Sequence, residues 1–170
     1  AVYKENLYKP MPGYRFIASN TDRSKYYVGE LNGRSSKQAY MDALHISESN
    51  IINQTFHNPI GKMNGQDICI ISLKEVSGNG LCCYRQVNDS DVLVLLEEQD
   101  YNEILDETLQ RIRRDFNHIS GVFSINCVFR YLLFSQEHHM EDYLKTMSTL
   151  GDHAGLIGFG EHYNQQFVNQ

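Results

Sequence analysis

Short apolar runs separated by turn-forming residues occupy the middle of the chain and restrict its fold more than any other feature. The three runs, at about 66–76, 80–87 and 91–97, have strand length and combine Ile, Val, Leu and Cys with few charged residues. Clusters of Ser, Gly, Asn and Asp separate them at 77–80 and 88–91. Because short turns of this composition join antiparallel neighbours, the pattern predicts a meander of three adjacent antiparallel strands.

A helical periodicity replaces the strand pattern after Asp100. Apolar residues recur at helical spacing over about 101–117, and Asp100 precedes this stripe as an expected N-cap. A strand at 122–128, a last helix at about 138–149 and a small-residue strand at 155–160 follow. This order of elements predicts an α+β fold, in which a mixed, mostly antiparallel sheet is covered by helices.

The length of 170 residues suits one domain with a short irregular segment before it. Residues 1–13 contain two prolines and no periodicity, so we interpret them as a lead-in or linker from a missing N-terminal part. The domain itself is expected over 14–170. The first residue is Ala1 rather than Met, which we interpret as a cut in a longer protein.

The composition argues against several classes of function. With 15 basic and 21 acidic residues the net charge is −6, and nucleic-acid binding depends on neutralising phosphates. The longest apolar runs have strand length, well short of the roughly 20 residues that cross a bilayer, so membrane insertion is not expected. The four cysteines lack the spacing of a zinc site. We therefore expect a reduced, cytoplasmic protein without a metal or cofactor.

Motifs of the common enzyme classes are absent from the sequence. It contains no GxSxG, no Walker A motif, no HExxH and no GxGxxG after a strand, so we assign no catalytic residue and predict that the chain is not an enzyme. Cys127 leaves three interpretations open. It is a buried structural thiol, a residue that contacts a ligand, or a nucleophile activated by its surroundings.

The segment 123–130 has the character of a binding site, because a strand runs into a helical turn there. Backbone N–H groups at the start of a helix suit anionic ligands. Arg130 would add a planar fork that fits a carboxylate. Alternatively, Arg130 satisfies the last carbonyls of the strand or pairs with a structural acid.

A second segment, 155–161, combines a glycine-rich strand with a carboxylate. Gly158, Gly160 and Glu161 close this segment. Glycine within a strand often marks the close approach of a ligand or of another backbone. The alternative is tight packing of the strand against a neighbouring helix.

Several short motifs, taken in order from about residue 14 onward, resemble the C-terminal half of the FIST domain family. Asn58 stands where the family commonly has His, and Phe129 is bulkier than usual before the Arg. The matching motifs are Leu31-Asn32-Gly33 followed by Ala39-Tyr40, Asn58-Pro59-Ile60-Gly61, the Phe-x-x-x-Cys-x-x-Arg pattern from Phe123 through Cys127 to Arg130, and Gly158-Phe159-Gly160-Glu161.

The resemblance implies a bacterial sensory module that binds small ligands beside signalling output domains. It also implies a FIST N-terminal domain as a partner and no established catalytic residue. The leading hypothesis is a pocket for an amino-acid-like or carboxylate ligand, in which Arg130 holds the carboxylate and Glu161 an amine. Alternatively, Arg130 and Glu161 pair with each other, and the chain is a protein-interaction module or, failing that, a Cys-dependent enzyme. The residues assigned to the pocket are Cys127, Arg130, Gly158, Gly160 and Glu161.

Overall fold

A computed structural model describes residues 1–65 and 67–159 and divides them into two compact units. Residues 8–99 form the first, here called the sheet unit. Residues 1–7 join those from 100 onward in the second, here called the αβ unit. Among the described residues, no helix is both long and apolar enough to cross a membrane.

The sheet unit contains eight strands, and every pairing between them is antiparallel. Seven strands follow the spatial order β5-β4-β8-β1-β2-β7-β6, and β3 adds to β2. The strands are β1 (Tyr8–Asp22), β2 (Tyr27–Leu31), β3 (Arg34–Ser35), β4 (Ile60–Asn64), β5 (Asp67–Ile70), β6 (Leu73–Ser77), β7 (Gly80–Cys83) and β8 (Val92–Glu98).

The sheet must curl, because its two outermost strands are joined by only two residues. Across a flat sheet, β5 and β6 would lie about 29 Å apart, since neighbouring strands are spaced by about 4.8 Å. The link of Ile71 and Ser72 can span roughly 11 Å. These two residues also form backbone hydrogen bonds toward both edges of the sheet. The Ile71 N–H donates to the Ile60 carbonyl at 2.9 Å, and the Tyr84 N–H donates to the Ser72 carbonyl at 3.1 Å.

Helix α1 (Ser36–Leu44) contributes to the core of the sheet unit. Its N-cap is Ser35, whose hydroxyl accepts from the Gln38 N–H, as Ser, Asp and Asn commonly do at this position. Tyr40 is fully buried, and its hydroxyl donates to the Asn58 carbonyl at 2.8 Å. A single 3-10 turn (Glu48–Asn50) and a short helix α2 (Ile51–Gln54) follow. The buried core combines Ala18, Val28, Leu31, Ala39, Tyr40, Ala43, Ile51, Ile60, Ile71, Leu73, Leu81, Cys83, Val87, Leu93 and Leu95.

The αβ unit is built on two parallel strands with helices between them. Helix α3 (Tyr101–Asp115) begins at the cap Asp100, whose carboxylate accepts from the N–H groups of Asn102 and Glu103. The elements that follow are β9 (Gly121–Cys127), α4 (Val128–Gln136), α5 (Met140–Ser148) and β10 (Asp152–Gly158). Strands β9 and β10 pair in parallel, so the chain between them has to cross from one end of the pair to the other.

The predicted α+β class is confirmed, since helices accompany a sheet whose pairings are mostly antiparallel. The predicted strand at about 66–76 is instead divided at Ile71 and Ser72 into β5 and β6, which lie at opposite ends of the strand order. The predicted meander is also wrong in one of its two pairings. Strands β6 and β7 do form a hairpin, but β8 lies between β4 and β1. Four consecutive residues of β8 are buried, and a strand buried on both faces belongs in the interior of a sheet. The other edge of β7 pairs with β2 instead.

Burial separates the four cysteines into two reactive classes, which chemical labelling should reveal. Burial raises the pKa of the Cys83 thiol to about 12, and it also raises the pKa of Cys82. At pH 8 about 10⁻⁴ of Cys83 is thiolate, the reactive form. We expect iodoacetamide to modify half-buried Cys69 and Cys127 in the folded protein well before Cys82 and Cys83.

Mass spectrometry of the labelled peptides measures this order. A parallel reaction in denaturant serves as the control and should label all four thiols. Early modification of Cys83 in the folded protein would contradict the burial of strand β7.

Candidate functional site

Three of the five predicted site residues meet at one end of the parallel pair. Cys127 is the last residue of β9 and also the N-cap residue of α4, and it stands opposite Gly158, the last residue of β10. Arg130 follows in the first turn of α4. Ligands of α/β proteins commonly bind at the carboxyl ends of parallel strands, which is where these residues lie. Gly160 and Glu161 lie outside the described residues.

The Arg130 side chain is fixed in position by an ion pair and two aromatic rings. Its Nη1 atom donates to Oε2 of Glu5 at 2.6 Å, and the exposed fractions of the two side chains are 14% and 12%. The guanidinium carbon lies 5.1 Å from the ring centroids of both Phe134 and Tyr143. Phe134 is four residues further along α4, on the same face. Both rings are within cation–π distance, so the guanidinium is held in one orientation.

Several polar atoms of this ion pair and of His139, whose ring packs against Phe134, are buried and have no hydrogen-bond partner among the described residues. They are Nε and Nη2 of Arg130, Oε1 of Glu5 and Nε2 of His139. Nε and Nη2 form one edge of the guanidinium, the edge that binds carboxylates with two parallel hydrogen bonds. Buried polar atoms without a partner are rare in proteins, so four in one unit mark an unusual site.

A chain of hydrogen bonds runs from Tyr143 along the same parallel pair. The Asn126 amide nitrogen donates to the Tyr143 hydroxyl at 3.1 Å and to the Ser124 hydroxyl at 3.3 Å. Ser124 Oγ in turn lies 2.9 Å from His153 Nε2. The ring of Tyr143 therefore supports Arg130 while its hydroxyl is anchored to strand β9.

Gly155 has a structural reason for lacking a side chain. A Cβ atom at this position would lie 2.4 Å from Ser124 Oγ and 3.0 Å from the Ser124 carbonyl oxygen. The absence of a side chain thus leaves room for the hydroxyl of Ser124 to reach His153. The close approach of strands β9 and β10 therefore accounts for Gly155 within the segment 155–161.

A depression of about 480 Å³ lies at the other end of the parallel pair, where both strands begin. Arg113, Asn117 and Thr149 are among its lining residues, and Arg113 donates to the Thr149 hydroxyl at 2.7 Å. These three side chains are exposed to solvent. The depression is therefore a weaker candidate than the buried surroundings of Arg130, because an exposed polar surface gains little from binding a small ligand.

Glu5, Tyr143 and His153 are not among the residues that the sequence predicts for the site. Glu5 falls in the segment interpreted as a lead-in, 125 residues from Arg130, and no local pattern indicates so distant a pairing. Tyr143 is a buried residue of the last helix, and a buried tyrosine hydroxyl needs a hydrogen-bond partner. That requirement is the signal that could have found it. The predicted Arg130–Glu161 pair involves a residue outside the described part of the chain. Among the described residues, Glu5 pairs with Arg130.

The Arg130–Glu5 pair predicts an asymmetric response to mutation. Glu5→Gln leaves the guanidinium buried in α4 without a counter-charge, and we expect it to lower the free energy of unfolding by about 2–3 kcal/mol. Arg130→Met should cost less, because residues 1–7 form no helix or strand and Glu5 can move into water. Methionine also packs well against Phe134 and Tyr143.

Urea unfolding measures both values. Glu107→Gln, an exposed position on α3, is the matched control and should change stability by less than about 0.5 kcal/mol. A larger loss from Arg130→Met than from Glu5→Gln would contradict the prediction.

Gly155→Ala should destabilise the αβ unit, because the new Cβ displaces the Ser124 hydroxyl and breaks its hydrogen bond to His153. We expect a loss of about 1–3 kcal/mol, typical of overpacking. Adding Ser124→Ala removes the nearer clash and should recover part of that loss. Thermal melting of the single and double variants measures this coupling, and strict additivity would exclude the contact as the cause.

Comparison with known proteins places the chain in a family. A family model described as the FIST C domain matches residues 37–164, which is more than half of the chain. No curated protein and no solved structure matches the chain. The FIST C family is a sensory domain family and not a known enzyme family. The chain therefore belongs to the FIST C domain family.

Proposed function

We propose that this chain is a sensory domain that binds a small ligand carrying a carboxylate, of the amino-acid type, through Arg130. Membership of the FIST C family is consistent with a sensory role in signal transduction. The single observation that supports the choice of ligand is the guanidinium edge formed by Nε and Nη2, which is buried and has no partner among the described residues.

The energetics of burial favour a ligand at this edge. A buried donor without a partner costs about 1–3 kcal/mol, and more when it is charged. A carboxylate would satisfy both nitrogens at once through short, charge-assisted hydrogen bonds. Because the ion pair with Glu5 and the two rings already orient the guanidinium, little side-chain entropy is lost when the ligand binds.

The remaining residues of the proposed site are Cys127, Gly158, Gly160 and Glu161. Cys127 and Gly158 end the two parallel strands beside Arg130. Gly160 and Glu161 continue the chain after β10 and stay part of the proposal. We further propose that the domain acts in the bacterial cytoplasm, beside a FIST N-terminal domain and signalling output domains.

A second candidate function, protein interaction, is favoured by the outer face of the parallel pair. Phe123 and Ile125 on β9 are 63% and 58% exposed, and Leu156 pairs with Ile125 and is 46% exposed. Parallel strands are normally covered on both faces, so an uncovered apolar face is typical of an interaction surface. Protein interaction through this face does not involve Arg130, so mutations can test the two functions separately.

A thermal-shift screen against amino acids and small carboxylates tests the proposal. A ligand at 100 times its dissociation constant should add roughly 2.7 kcal/mol to the free energy of unfolding. Arg130→Met should abolish this ligand-dependent increment. Arg114→Met, a matched change at an exposed arginine on α3, should leave it intact.

Two results would contradict the proposal. The first is the absence of any stabilising carboxylate at millimolar concentration. The second is an increment that survives Arg130→Met. Phe123→Ser provides a further comparison. It should preserve the ligand-dependent stabilisation and weaken the binding of any partner protein to the outer face.

A further inference from the structure

We infer that one end of the sheet unit is a docking surface for an acidic protein segment that carries aromatic side chains. The surface combines the turn between β1 and β2 with the segment that follows β7, and all of its members are exposed. It consists of Arg23, Lys25, Tyr26, Tyr84 and Arg85, here called the tyrosine surface. The inference does not depend on the function proposed above, because the tyrosine surface lies in the sheet unit and Arg130 in the αβ unit.

Hydrogen bonds join the two segments of the tyrosine surface. The Cys83 N–H donates to the Tyr26 carbonyl at 2.9 Å, which places Tyr26 beside the residue that precedes Tyr84. Nη2 of Arg23 donates to Oε1 of Gln86 at 3.3 Å. In return, Nε2 of Gln86 donates to the Arg23 carbonyl at 3.4 Å. The turn and the segment after β7 therefore present their side chains together.

Tyr26 has a backbone conformation that is unfavourable for a tyrosine. Its φ angle is 56°, in the left-handed region. The turn that it ends is closed by the Lys25 N–H, which donates to the Asp22 carbonyl at 3.2 Å. Gly or Asn is the usual residue at a left-handed turn position, because a bulky side chain is strained there. Such strain is concentrated at functional sites, and the turn alone does not account for a tyrosine at this position.

Packing within the sheet unit does not account for the two tyrosines either. Tyr26 is 41% exposed and Tyr84 is 65% exposed. The neighbouring Tyr27 differs, since its ring lies over Gly80, where a Cβ atom would be 2.2 Å from the Cε2 atom of the ring. Tyr27 thus has a packing role, whereas the other two rings face water. Tyrosine and arginine are enriched among the residues that contribute most to protein–protein binding, so this combination favours a protein partner.

The charge of the tyrosine surface is opposite to that of the chain. The net charge of the chain is −6, yet residues 22–26 and 84–86 carry three positive charges and one negative charge. The negative charge is Asp22, which forms an exposed pair with Lys25 at 3.6 Å. An acidic protein segment is repelled by the chain as a whole and attracted at this surface, so charge complementarity directs it there. A nucleic acid is disfavoured, because the net negative charge repels every phosphate along its strand.

Fluorescence anisotropy with a short fluorescein-labelled peptide of the repeat Glu-Asp-Phe-Gly tests the inference. We expect wild type to bind this peptide, and the affinity should fall several-fold when NaCl is raised from about 50 mM to about 300 mM. A peptide with Gln and Asn in place of the acids should bind at least about tenfold more weakly. A peptide with Ser in place of Phe should lose a similar factor, because the tyrosine rings then have no aromatic partner.

Tyr26→Asn separates binding from stability. Asparagine tolerates the left-handed conformation, so the variant should keep or raise the melting temperature while it binds the peptide at least about fivefold more weakly. A loss of binding without a loss of stability cannot result from unfolding. Tyr84→Ser should weaken binding by a similar factor. Ile17→Thr, which changes an exposed apolar residue of β1 outside the tyrosine surface, is the matched control and should bind as wild type does.

Charge variants complete the experiment. Lys25→Gln combined with Arg85→Gln should weaken binding about tenfold, whereas Arg114→Gln on α3 should leave it unchanged. Arg130→Met should also leave it unchanged, so this inference can fail while the proposed function stands, and the reverse. Undiminished binding in Tyr26→Asn, loss of binding in Arg130→Met, or no binding of wild type at about 1 mM peptide would each overturn the inference. Tighter binding of oligothymidylate than of the peptide would indicate a nucleic-acid partner and would overturn it as well.

Discussion

The parallel pairing of β9 with β10 is the constraint on which the candidate site depends. Parallel strands cannot be joined by a hairpin, so the chain between them must form a crossover, and here α4 and α5 provide it. The same pairing brings the ends of both strands to one edge, where α4 begins. The topology therefore places Arg130 beside Cys127 and Gly158. This placement does not depend on which residues make up the two strands.

The ion pair of Arg130 and Glu5 is a poor way to stabilise a fold. Removing two charges from water costs several kcal/mol for each ion, and full hydrogen bonding is needed to offset that cost. In this pair only one of the expected bonds forms among the described residues. Apolar side chains of similar volume would stabilise the unit at least as well. The carboxylate ligand that we propose would give such a pair a physical purpose.

Local features of the sequence predicted several helices and strands, while the division of 66–76 into two strands and the pairing between distant segments escaped prediction. Asp100 caps α3 because its carboxylate reaches N–H groups two and three residues away, an interaction that sequence alone specifies. The strands that pair with β8 depend instead on which strand edges are still unpaired when the rest of the sheet has formed. The pairing of Glu5 with Arg130 spans 125 residues, and nothing near Glu5 indicates it. Burial and topology decide such contacts, and both arise only in the folded chain.

The central place of β8 has a consequence for synthesis on the ribosome. Strand β1 ends at Asp22, but the strand that covers one of its edges begins only at Val92. Until that segment leaves the exit tunnel, the nascent chain carries a long strand with open hydrogen-bonding groups. Such an edge is a template for association with other chains, and at typical elongation rates it stays open for several seconds. The sheet unit is therefore expected to depend on chaperones during its translation more than its modest size would indicate.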